Sequence, residues 1–307
     1  MRGRRFHVRG AQGYRLLTES APLWPSRTPC DEAPMTHPCP SVTILVPWRG
    51  DDCAHALTSA MNQRGEAVEI VISCAHGAAP PRLHDPRARI EIAAPGADLL
   101  AAGFAAARGA LCIIAEADWA PDEASARAAL FPEPAAARLL ILPRGGAACA
   151  APVPRTCAGT RAAALLFRDG APPPLSALCA PTAVWRAAGA APGAGRWGAA
   201  LLTLRAEAAG ARAEAPFGPW RADQDPLQMS QDDGIDGARA ALRLAAPLLT
   251  PRERLWAEMR CLGPSLLAGA PGDARRLGWR GLRAGGARRA ALALLTGQRP
   301  AEASLPG

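Results

Sequence analysis

Glu116 and Asp118 stand one residue apart, directly after the apolar run Leu111-Cys-Ile-Ile-Ala115, and no basic residue occurs between Arg108 and Arg127. An apolar run of this length reads as a buried strand. Carboxylates at its end are either an ordinary solvated terminus or a pair engaged with a ligand. Two further runs end in polar residues. Val42–Val46 leads into Pro47-Trp48-Arg49, and Val68–Ile72 leads into Ser73-Cys74-Ala75-His76. Metal chemistry based on zinc is not indicated. The nine cysteines include no C-x-x-C pair, and the five histidines all lie between His7 and His84. Cys74, Cys112 and Cys179 read as small buried hydrophobes rather than nucleophiles, and the scatter of thiols suits a reducing cytoplasm.

The elements that must position these residues follow from the pattern. Strands are predicted at 42–46, 68–72, 89–92 and 111–115. Helices are predicted from Asp51 or Asp52 to about Gln63, from an Asp98 cap to Arg108 with Gly109 closing it, and from Pro121 to about Leu130. Strands alternating with helices imply an α/β fold, a mostly parallel sheet with helices on both faces. Such sheets bind ligands beyond the carboxyl ends of their strands, where the three polar strand ends fall. Further on, 139–142 and 163–167 read as strands, 181–188 as a strand-to-helix turn and 201–209 as a helix closed by Gly210. Residues 216–235 read as a loop, and helices broken at Pro247, Pro251, Pro264 and Pro271 follow. Three regions result. Residues 1–40 are a disordered extension or an over-long start, with Met35 opening the natural chain. Residues 41–235 form the α/β domain, and residues 236–307 form a helical C-terminal region.

Composition narrows the function classes. Hydrophobic residues make up 49% and charged residues 20% of the 307, as in a folded globular chain. The net charge of +8 comes from Arg alone, since no Lys is present. Together with abundant Ala, Gly and Pro, this points to a GC-rich coding bias rather than to nucleic acid, and no aromatic-basic interleaving supports single-strand binding. No run reaches the roughly 18 apolar residues of a membrane span, so a cytoplasmic or membrane-peripheral location is expected. The stretch DARRLGWRGLRAGGARRAALALL reads either as a basic amphipathic segment on an anionic membrane or as a packed helix with an Arg-rich outer face. Gly285 and Gly286 favour the second.

Over residues 41–132 the order of motifs resembles family-2 glycosyltransferases of the GT-A fold. VTILVPWRGDDCAHALTSAMNQ is similar to that family's first strand, turn and helix, ending in Asn62-Gln63. VEIVIS, DPRARIEI, Ala107-Arg-Gly109 and LCIIAEADWAP follow in the family order, the last standing for the D-x-D motif. VWRAAG (184–189) and LRAEAAG (204–210) echo the acceptor half. The resemblance implies an inverting transfer of sugar from a nucleoside-diphosphate sugar to a glycan or lipid-linked acceptor in a cell-surface pathway. It also implies Mn²⁺ or Mg²⁺, ions suited to oxygen ligands, with Asp118 as the metal ligand. Glu116 would face the ribose or the metal's water shell. Pro47 and Trp48 would lie at the nucleotide, Trp48 either flanking the base or packing at the rim.

The chain departs from the family at several positions. Cys74-Ala75-His76-Gly77 stand where Asp-Asp-Gly-Ser is usual, and Ala101 replaces an Asn. Gly198 and Ala199 occupy the positions of the Glu-Asp pair that supplies the general base, a role worth about 10²- to 10⁴-fold in rate. Glu207, Asp223 and Asp225 are the substitutes within reach in sequence. The alternative to an enzyme is a degenerate member that acts as a nucleotide-binding or protein-interaction module. His76 reads as a plain loop histidine.

Overall fold

The computed structural model describes residues 41–50, 53–65, 68–115, 121–131, 137–142, 161–168, 173–189, 197–215, 234–285 and 288–297. Among them seven strands form one sheet: β1 (Val42–Trp48), β2 (Val68–Cys74), β3 (Ala88–Ile92), β4 (Leu111–Ile114), β5 (Arg138–Ile141), β6 (Leu178–Pro181) and β7 (Arg212–Glu214). Their order is β3-β2-β1-β4-β6-β5-β7. β6 runs against β4 and β5, and every other pairing is parallel. The chain is therefore α/β with a mostly parallel mixed sheet, as the alternation of elements implies.

Helices cover both faces. α1 (Ala54–Met61) and α3 (Glu123–Ala128) lie on the face that presents Ile44, Ile70, Ile72 and Ile113. α2 (Leu99–Ala106), α4 (Thr182–Ala188) and α5 (Gly198–Ala208) lie on the other, with Leu45, Val71, Cys112 and Ile114. Burial on both faces explains why β1, β2 and β4 read as unbroken apolar runs. The C-terminal helices are α6 (Gly234–Ala245), α7 (Pro251–Cys261), α8 (Gly263–Gly269), α9 (Pro271–Ala284) and α10 (Arg288–Thr296). Ala238, Leu242 and Trp256 from these helices share one core with Leu165, Trp185 and Leu201, so the apolar packing runs unbroken past residue 236. Pro251, Pro264 and Pro271 each open a helix, the position where a missing N–H costs nothing.

Three expectations need correction. Residues 163–167, read as a strand, are helical instead, with a wide π-helical turn over Ala164–Arg168 whose Ala164–Phe167 are buried. A short apolar run does not distinguish the two. β1 does not stop before Pro47 but continues to Trp48. Leu45 offers its carbonyl to Ala115 on the β4 side, and Trp48 offers its carbonyl to Ala75 on the β2 side. Alternation along the strand turns the missing N–H of Pro47 toward β4, past the last pair Leu45–Ile114, where no bond is owed.

The third correction concerns Gly109, which is not a left-handed helix cap. α2 ends earlier, at Ala107, with Arg186 donating to the carbonyls of Phe104 and Ala107. Gly109 instead lets the chain pass against β1. A Cβ there would lie 2.5 Å from the Thr43 nitrogen and 2.7 Å from the Val42 carbonyl carbon. These are backbone atoms that cannot swing aside, so Gly109→Ala is expected to cost about 1–3 kcal/mol, read as a lower urea midpoint at unchanged slope.

Candidate functional site

The carboxyl ends of β1 to β4 meet on one edge. Pairing of Leu178 with Ile141 and of Cys179 with Ile113 places the start of β6 on that edge too. Trp48, Cys74, Ile92 and Ala115 mark the strand ends, and Ala177 and Leu142 adjoin them through the bond from the Leu142 N–H to the Ala177 carbonyl. Glu116 and Asp118 lie outside the described residues, but the ends of their segment are fixed. Ala115 donates to the Leu45 carbonyl at 2.9 Å, and the Pro121 carbonyl accepts from the Arg64 N–H at 2.8 Å. Ala115 thus stands at the middle of the sheet edge, and the described chain returns at Pro121, beside the end of α1.

That return is held by side chains. Gln63 is buried, and its Oε1 accepts the Ala124 N–H at 2.9 Å, taking one of the four donors that a helix start leaves open. Arg87 fixes the end of α1 by donating to the carbonyls of Gln63 (2.6 Å) and Met61 (2.9 Å). Asp85 in turn orients Arg87, and the hydrogen bond from that guanidinium holds the Asp85 carboxyl below the usual carboxylate range. The motif DPRARIEI thus contributes a clamp on the helix that carries Asn62-Gln63.

Below the same segment lies a brace that sequence reasoning missed. Glu123 and Arg127, each 1% exposed, pair at 2.7 Å across one turn of α3. Arg127 also donates to the Ser176 carbonyl, just before β6. Glu123 Oε2 and the Ser176 hydroxyl are buried and have no hydrogen-bond partner among the described residues. An i, i+4 Glu-Arg pair is the ordinary signature of a solvated helix face, so only the fold reveals that this one is sealed.

Other candidates sort by position. Pro47 is half-buried at the edge; Trp48 is 5% exposed and its indole N–H donates to the Ala79 carbonyl at 3.0 Å, tying down the turn that follows β2. Cys74 is buried, and burial pushes its thiol up, away from nucleophilic thiolate. His76 is exposed on the turn from Ala75 to Ala78, with Gly77 at φ 79°. Beneath the edge the Ser73 hydroxyl is fully buried and has no hydrogen-bond partner among the described residues. Gly198 and Ala199 begin α5 beside Leu175, on the edge where a general base would be needed, and both are buried.

Glu207 is at the wrong end. It lies near the finish of α5, next to the turn that starts β7, on the opposite edge of the sheet. An 11-residue helix separates the two edges by about 16 Å. Its carboxylate accepts the Ala162 N–H at 2.7 Å and pairs with Arg161 at 3.4 Å. Glu207 is therefore engaged on the edge away from Ala115. Asp223 and Asp225 lie outside the described residues. β7 does end on the site edge, so the chain enters residues 216–233 from there.

Among the described residues no three His, Cys, Asp or Glu side chains group to hold a metal ion, and no helix is long and apolar enough to cross a membrane. Comparisons with protein-family models, with curated proteins and with solved structures find no match to this chain. The site is thus read from its own residues.

Proposed function

We propose that the chain is an inverting, metal-assisted glycosyltransferase of the GT-A kind. It would take a nucleoside-diphosphate sugar and a glycan or lipid-linked acceptor of the cell surface. The observation that carries this reading is the sheet order, a parallel half β3-β2-β1-β4 continued through the single reversed strand β6 to β5 and β7. The resemblance of residues 41–132 implies a mostly parallel sheet with flanking helices, and this sheet is compatible with that expectation. β4, whose end Ala115 directly precedes Glu116 in sequence, lies at the middle of that sheet, and sheets of this class take ligands beyond the carboxyl ends of their strands. Asp118, with Glu116 beside it, is the carboxylate to hold Mn²⁺ or Mg²⁺, oxygen-seeking ions. A divalent ion bound there supplies Lewis-acid neutralisation of the leaving diphosphate.

The chain's own residues contribute position. Leu45 holds Ala115, just before the acidic pair, and Arg64 and Gln63 hold Pro121 and Ala124 after it. A second reading, a nucleotide-binding module without transfer, is favoured by one specific finding. The start of α5 carries Gly198 and Ala199 in place of the expected acids, and Glu207 is spent elsewhere.

Calorimetric titration of the full chain with UDP, GDP and their sugars, with and without Mn²⁺, tests the common part of both readings. Metal-dependent binding is expected, and Asp118→Ala should weaken it at least tenfold, about 1.4 kcal/mol. Absence of binding to every nucleotide would overturn both. Release of nucleoside diphosphate on adding acceptor then separates transferase from module.

A further inference from the structure

The helix α9 carries four arginines against one acid, and its 14 residues divide sharply into two faces. Ala274, Leu277, Gly278 and Gly281 are buried. A Cβ at Gly278 would lie 2.8 Å from the Ala291 carbonyl oxygen, and one at Gly281 would run into Met259 Sδ. The glycines thus seat this face tightly on α7 and α10, and the helix has no freedom to roll. At 100° per residue the opposite face is centred on Arg276, Trp279 and Arg283, with Arg275 and Arg280 at its margins. All five are exposed, Trp279 at 57%. Arg276 pairs with Asp273 and Arg280 reaches Glu258. Arg275 and Arg283 have no ion pair among the described residues.

We infer that this face of α9 docks on an anionic lipid surface. The charge complementarity and the indole argue together. Arginines draw a protein to an acidic leaflet, and an exposed tryptophan among them prefers the headgroup zone, where its ring is half apolar and its N–H is hydrated. A second copy of the chain presents the same positive face and is repelled. A polyanion such as nucleic acid would use the arginines and leave the indole without a role. Because the apolar side of α9 is already committed to the protein core, the contact is peripheral and electrostatic, and it weakens steeply with salt. This inference stands apart from the nucleotide reading, since it needs neither Glu116 nor Asp118.

The test is flotation of the full chain with vesicles of phosphatidylcholine, with and without added phosphatidylglycerol. Binding is expected only when phosphatidylglycerol is present. Each arginine near such a surface contributes about fivefold, so the double change Arg275→Gln and Arg283→Gln should weaken binding by about 25-fold, and Trp279→Ala should weaken it as well. All three side chains are exposed, so thermal midpoints should stay at the wild-type value, and a shifted midpoint would disqualify a variant in favour of Arg283→Gln alone. Failure to float with phosphatidylglycerol, or equal flotation of wild type and variants, would overturn the inference. So would binding to duplex DNA as tight as to vesicles with Trp279→Ala indistinguishable from wild type. A self-association that Trp279→Ala abolishes would likewise reassign the face to a second copy.

Discussion

Arg127→Met is expected to lower the unfolding free energy by about 3–5 kcal/mol, the cost of stranding one member of a buried ion pair. The side chain is 1% exposed, and its Nε lies 2.7 Å from Glu123 Oε1. Removing the guanidinium leaves a carboxylate in the interior whose second oxygen already lacks a partner among the described residues. The Ser176 carbonyl loses its donor in the same step. Water does not reach either group, so neither loss is made good by solvation. The double change Glu123→Leu and Arg127→Met should recover most of the loss, because apolar side chains of similar volume commonly replace a buried pair without penalty. Urea denaturation of wild type, the single variant and the double variant reads both numbers. A single-variant loss below about 1 kcal/mol would mean the pair behaves like a solvated one.

The same pair shows where sequence reading stops. β1, β2 and β4 were legible because parallel strands buried on both faces leave unbroken apolar runs. The Asp98 cap was legible because a carboxylate just before a helix accepts from the N3 amide, as it does from Ala101 at 3.0 Å. Direction and depth were not. Leu178–Pro181 gives no sign that it runs against its neighbours, since antiparallel pairing is decided by which strand it meets. Glu123 and Arg127 carry the spacing of a surface pair, and Gly109 looks like a helix stop although it serves a close approach to Thr43. Glu207 sits in the stretch that echoes the acceptor half, yet the length of α5 carries it to the far edge of the sheet. Prolines 251, 264 and 271 were legible as breaks because each one opens a helix. Local chemistry reads out of sequence here, and distance across the sheet does not.

Acid should unfold the protein through Glu69, and the effect bears on the site because Glu69 sets the frame from which β4 starts. Its carboxylate accepts from the Thr43 hydroxyl at 2.6 Å, the Arg108 N–H at 2.9 Å and Arg89 Nε at 2.7 Å. Thr43 in turn accepts the Gly109 N–H at 2.8 Å, and the Gly109 carbonyl accepts from Thr182 at 2.5 Å. Burial pushes the Glu69 carboxyl up, but the three hydrogen bonds and the Arg89 charge together outweigh it and leave the carboxyl below its ordinary value. A carboxylate depressed in the folded state stabilises the fold fully above its unfolded pKa of about 4.3. That stabilisation is lost as pH falls from there through the lower folded value, where the unfolded chain takes up the proton first. Glu69→Ala strands one buried donor, the Thr43 hydroxyl, at about 1–3 kcal/mol, while the part-buried Arg108 N–H and Arg89, at 29% exposure, can turn to solvent. Urea midpoints from pH 7 to pH 3 should therefore show a large gap between wild type and variant at neutral pH that narrows below about pH 4.3. A gap independent of pH would mean that Glu69 is protonated throughout and that packing, not charge, holds Thr43 and Gly109. If the gap closes as expected, the nucleotide binding proposed for Glu116 and Asp118 should weaken in Glu69→Ala even where the chain stays folded. The same hydrogen bonds that keep Glu69 ionised fix the entry of β4, and four residues later Ala115 directly precedes the acidic pair in sequence.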